Sequence, residues 1–103
     1  MIGMGKYKVE IDHMFFKGEA VFEIEFENDN YEFDIEIENA DFDMDVTITE
    51  FEEDDDTLDA KATVAILPGK EIDIHLTFDE DGCNGYLKIP FVGKIKIKDA
   101  IRI

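Results

Sequence analysis

From Glu19 to Thr49 apolar and acidic residues alternate almost without error: EAVFEIEFENDNYEFDIEIENADFDMDVTIT. A period of two is that of a β-strand with one dry face and one wet face. The same rhythm precedes and follows this stretch, and no helical period competes with it. The pattern predicts about eight strands at roughly ten-residue spacing.

The first strand is expected over Lys6 to Phe16, with Tyr7, Val9, Ile11, His13 and Phe15 facing inward. A two-residue turn at Lys17-Gly18 would pair Phe15 with Ala20 and set His13 beside Phe22. The second strand turns Ala20, Phe22, Ile24 and Phe26 inward, and the third Tyr31, Phe33, Ile35 and Ile37. The apolar parity then changes from odd to even. A two-residue turn at Glu38-Asn39 accounts for this and puts Ala40, Phe42, Met44, Val46 and Ile48 inside. The acids Glu52 to Asp56 are read as a loop. Leu58 to Ile66 and Ile72 to Phe78 supply the next two strands, with a turn around Pro68-Gly69-Lys70. Cys83, Leu87 and Ile89 face inward on the seventh, where Pro90 marks a strand end or an unpaired edge position. Ile95 and Ile97 face inward on the eighth, and Asp99-Ala100 breaks the rhythm as a bulge would. Residues 1–103 are thus expected to form one all-β domain, an antiparallel up-and-down meander. A closed barrel is preferred over a two-layer sandwich.

The meander sorts the charges. Alternate turns lie at opposite ends, so the three acid-rich turns share one pole: Glu27/Asp29, Glu52 to Asp56, and Asp79 to Asp81. Phe16, Leu67 and Val92 lie at the other pole. Seven of the ten basic residues fall on the first and the last two strands or the tail: Lys6, Lys8, Lys88, Lys94, Lys96, Lys98 and Arg102. The expected register opposes Glu25 to Glu32, Glu23 to Asp34, Glu36 to Asp41 and Asp34 to Asp43, and like charges directly opposite destabilise a sheet.

Composition narrows the function classes. At 45% hydrophobic residues the 103-residue chain can bury a core. A net charge of −17 opposes binding to nucleic acid or an anionic membrane. No apolar run approaches the ~18 residues of a membrane span. The N-terminal MIGMGKYKVE lacks a signal-peptide core, so a cytoplasmic location is expected. Cys83 is the sole cysteine, which excludes an internal disulfide.

Candidate chemistry is sparse. His13 is either a polar handle for a ligand or a core histidine with a backbone or tyrosine partner. His75 falls on an outer face between Asp73 and Thr77, suited to solvent more than to metal. Cys83 has no base at catalytic spacing and reads as a small buried thiol. Asp79-Glu80-Asp81-Gly82 opens like a calcium loop, but its glycine comes too early and its twelfth position is Pro90. With no paired carboxylates, nucleophile–base pair or metal spacing on the inner face, an enzyme, a cofactor and a metal site are not expected.

Gly5-Lys6-Tyr7 at the start of an eight-stranded meander and Ile101-Arg102-Ile103 at its end resemble the calycin group of lipocalins, fatty-acid-binding proteins and avidins. The pattern is also similar to small bacterial β-domains with hairpin glycines and a terminal arginine. The calycin resemblance implies that Gly5 and Tyr7 stand where Gly-x-Trp opens the first strand. Arg102 would then pack over the ring to close the barrel. It also implies a pocket for a small apolar ligand, bound by Tyr7, His13, Phe22, Phe33, Phe42 and Met44. The alternative is an acidic protein–protein interaction module or self-associating domain, its interior filled by side chains. Either a monomer or a homodimer is compatible with the sequence.

Overall fold

Strict alternation leaves each strand with one face to bury, and a sheet with one apolar face can cover it by curling onto itself. The computed structural model of the chain describes all residues except 1, 15–16, 38–41 and 65–68, and the side chains of 37 and 42–45. Eight strands form: β1 (Gly5–Asp12), β2 (Lys17–Glu27), β3 (Asn30–Ile37), β4 (Phe42–Asp54), β5 (Thr57–Val64), β6 (Ile72–Phe78), β7 (Gly82–Ile89) and β8 (Gly93–Arg102). Each pairs antiparallel with the next, and β8 returns to β1, so the sheet is a closed up-and-down barrel. The expected inner residues of β5, β6 and β7 are buried as far as they are described, and no polar or charged side chain is buried among the described residues. Among the described residues no helix is long and apolar enough to cross a membrane.

Faces were legible in the alternation, but registers were less so. On β1 and β2 Tyr7 pairs with Phe22 and Asp12 with Lys17, six residues from the expected alignment. Strand pairing therefore stops before His13, which follows β1 half-buried and does not stand beside Phe22. The expected Lys17-Gly18 turn is the start of β2 instead. A slip of six leaves every side chain on its original face, so alternation alone cannot detect it. Between β3 and β4 Ile37 pairs with Phe42, a slip of two, and the expected Glu38-Asn39 turn lies outside the described residues. The acid run is not all loop. A bulge between Ile48 and Glu50 lets β4 continue through Asp54 paired with Thr57, and only Asp55-Asp56 turn.

The rhythm break in β8 is a bulge, as expected. Asp99 adopts a φ of 55° and donates its backbone N–H to Asn84 Oδ1 at 2.8 Å. It lies opposite the register shift between Cys83 and Gly85 in β7. The bulge also marks where the closing seam changes. Between β1 and β8 only Tyr7–Arg102 and Lys8–Ile101 form register pairs, whereas every other seam has six or more.

The chain ahead of β1 crosses the acid-rich end of the barrel. The Ile2 N–H donates to the Tyr31 hydroxyl at 2.7 Å, and the Tyr7 hydroxyl donates to Gly3 O at 2.9 Å. Gly3 lies flat on the Phe78 ring: a Cβ there would stand 2.2 Å from Cζ. A side chain at position 3 would have to displace either the Phe78 ring or the strap itself.

Candidate functional site

Three of the six residues expected to bind a ligand meet inside the barrel. Register pairing sets Tyr7 beside Phe22, and Phe33, paired with Ile24, reaches the Phe22 ring diagonally. The Tyr7 and Phe22 centroids are 5.0 Å apart and nearly parallel, and Phe22 and Phe33 are 5.6 Å apart. Phe78 leans on Tyr7 at 5.8 Å. Ring faces that would hold a ligand are thus already occupied by other rings. Phe42 and Met44 pair in register with Ile37 and Ile35, and their side chains lie outside the described residues. His13 is not part of this group.

Toward the acid-rich end Phe26, Tyr31 and Phe51 pack edge to face, with centroids 4.8 to 6.1 Å apart. Phe51 reaches this cluster because the β4 bulge reverses its parity, which simple alternation could not foresee. The Tyr31 hydroxyl donates to Glu53 Oε1. Burial and this bond push the Tyr31 phenol up to about 12, and the same bond holds the Glu53 carboxyl below its ordinary range. Burial also raises Tyr7, against the opposing pull of Arg102. The Cys83 thiol, pushed up to about 12 mainly by burial, stays protonated and unreactive.

The Gly5, Tyr7 and Arg102 contact is formed. Arg102 Cζ lies 5.1 Å from the Tyr7 ring centroid, and its Nη1 donates to Met4 O at 2.7 Å. A Cβ at Gly5, whose φ is +136°, would stand 3.2 Å from the same Nη1. The guanidinium thus closes the barrel beside the strap.

Outside, the acidic ladder survives the change of register. Glu25 faces Glu32 and Glu23 faces Asp34 as expected, while Asp34 faces Asp45 and Glu36 faces Asp43. A slip of two replaced each expected acid with another acid. The carboxylates of Glu25, Glu27 and Glu32 each present an oxygen within 4.8 Å of the others, and all three are exposed. Glu23, then Glu32 and Glu27, raise the Glu25 carboxyl above its ordinary value by repulsion. Such a face attracts positive charge of any kind.

A second outer feature spans β5 to β8. His75 Nδ1 lies 2.5 Å from Asp59 Oδ1, its ring stacks on Tyr86 at 5.2 Å, and Lys94 Nζ stands 4.3 Å from the Tyr86 centroid. Gly85 permits this close pairing, because a Cβ there would strike the His75 carbonyl at 1.8 Å. The row borders an open groove of about 640 Å³, also lined by Glu50, Glu52 and Lys88. Sequence reading placed His75 outward but missed Asp59 and Tyr86. The hairpin at Asp79–Gly82 already put Tyr86 opposite His75.

Comparison with protein families, with curated proteins and with solved structures finds no match to this chain in any of the three.

Proposed function

We propose that the protein is a non-catalytic binding module whose acidic outer face on β2, β3 and β4 receives a basic segment of another protein. What carries this reading is the pairing of like charges between β2 and β3, in a register that continues with acids on β4. A fold has no internal use for Glu25 opposite Glu32 or Glu23 opposite Asp34. The repulsion is relieved when a cationic partner lies over them. The paired rings of the interior support the same choice, since they use their faces on one another.

The test is fluorescence anisotropy with an oligolysine peptide. Binding should weaken steeply with salt and with the joint change Glu25→Gln, Glu27→Gln, Glu32→Gln. The same number of neutralisations elsewhere, at Glu10, Glu71 and Glu80, should weaken it less. Equal effects of the two variants would reduce the binding to net charge and reject the acidic face as the site.

A second reading has its own support. The Tyr7–Arg102 closure is what membership of the calycin group implies, and with it carriage of a small apolar ligand in the interior. That reading requires Tyr7, Phe22 and Phe33 to part. Native mass spectrometry of freshly purified protein separates the two: extra mass lost on denaturation favours the carrier, a bare mass the module.

A further inference from the structure

The end of the barrel opposite the acid-rich turns carries the most exposed large apolar side chains of the described residues, Met14 and Phe91, each 83% exposed. Phe91 is also in an unfavourable backbone conformation. The Val92 N–H donates to Ile89 O at 3.1 Å, closing a four-residue turn with Pro90 at its second position and Phe91 at its third. Phe91 has a φ of 70°. Proline followed by a positive φ is the signature of a type II turn, whose third position ordinarily holds glycine. A bulky residue there is strained. Neither strain nor exposure of the ring benefits the isolated barrel, and both are resolved if the ring is an anchor in a contact.

We propose that Phe91 is the anchor of an isologous dimer, with two copies meeting tip to tip at this end. Phe91 projects from the rim of a groove of about 520 Å³ and forms one of its walls, with Glu71, Asp73, Lys88, Ile89, Pro90 and Val92 around the rest. An exposed ring on the rim of a groove suits a two-fold contact, because each copy can offer its ring to the other's groove. The charges agree. Lys70 Nζ lies 5.5 Å from the Phe91 centroid and travels with the ring, while Glu71 and Asp73 outnumber Lys88 on the edge of the groove. The net charge of −17 selects the same geometry. Meeting at this end keeps the turns at Asn28-Asp29, Asp55-Asp56 and Asp79–Asp81 of the two copies farthest apart. Such a dimer would also present two acidic faces outward, so a partner with two basic segments would bind by avidity.

Sedimentation velocity across a concentration series tests this, with Phe91→Gly and Lys70→Glu as variants. The wild-type protein should pass from monomer to dimer and stop there. Phe91→Gly should weaken the dimer at least tenfold, and in dilute solution it should melt higher than wild type, since glycine relieves the turn. Lys70→Glu should weaken the dimer without altering the melting of the monomer. Three results would each overturn the proposal: a wild-type monomer at ~0.5 mM, where even a millimolar Kd would be visible; dimerisation undiminished in Phe91→Gly; or lower stability of that variant as a monomer, which would make the ring a packing element.

Discussion

Tyr7 and Arg102 are cross-strand partners at the seam that closes the barrel, and the Arg102 guanidinium lies 5.1 Å from the Tyr7 ring. Lys8–Ile101 is the other register pair of this seam, and the Ile103 N–H donates to Lys6 O at 2.9 Å. Arg102 adds a charged hydrogen bond to Met4 O, which ties down the strap. Arg102→Ala should cost about 1–3 kcal/mol from the lost cation–π contact and hydrogen bond. Arg102→Lys should recover part, because it keeps the charge without the planar fork. Urea denaturation measures both, and an unchanged midpoint for Arg102→Ala would mean that the seam holds without it.

The aromatic stack is a packing claim. Phe22 is buried between Tyr7 and Phe33, so Phe22→Ala should cost about 3–5 kcal/mol, in the range of large-to-small changes in filled cores. A loss below ~1 kcal/mol would point to spare volume at this position, and so toward the interior-ligand reading.

Salt should stabilise the protein. The pairs Glu25–Glu32 and Glu23–Asp34 repel across β2 and β3, on an outer face where screening is effective. Thermal melts from low salt to ~0.5 M NaCl should rise by several degrees, and Glu25→Gln should flatten the slope. A flat response in the unmodified protein would contradict the register described here.

Mild acid should stabilise before strong acid destabilises. Glu25 has a raised carboxyl in the fold, so its ionisation opposes folding: the stability tied to it is complete below the ordinary carboxylate value and is lost as pH rises through the folded value. Glu53 has the reverse sign, because its bond from Tyr31 favours the ionised form; that contribution is lost as pH falls below the ordinary value. Melting temperature should therefore rise from pH 7 to about pH 5 and fall below about pH 4, on either side of the ordinary carboxylate range. Tyr31→Phe should soften the acid-side fall while leaving the rise in place.

Cys83 should be a silent reporter of unfolding. Its thiol is buried and its ionisation is pushed up to about 12, so a thiol reagent at pH 8 should react only as fast as the barrel opens. Rapid labelling of the folded protein would place a local opening at the β7 bulge.

Alternation by itself determined most of the inward faces, that the chain is all strand, that the acid-rich turns share an end, and that β2 and β3 present acids to the outside. These properties have a period of two and are read locally. Registers are not local. The β1–β2 alignment differs from the expected one by six residues and β3–β4 by two, and even slips leave the faces untouched. Only the assembled barrel chose between alignments that alternation makes equivalent, and that choice removed His13 from the interior while bringing Tyr7 onto Phe22. The tertiary structure also decided what bulges do. A single extra residue in β4 turned Phe51 inward, and Asp99 in β8 marks where the closing seam loses its pairs. Phe91 is the clearest case of the division. Its sequence neighbours mark a turn, but its left-handed backbone and the groove beside it arise only when the chain ends of β7 and β8 meet.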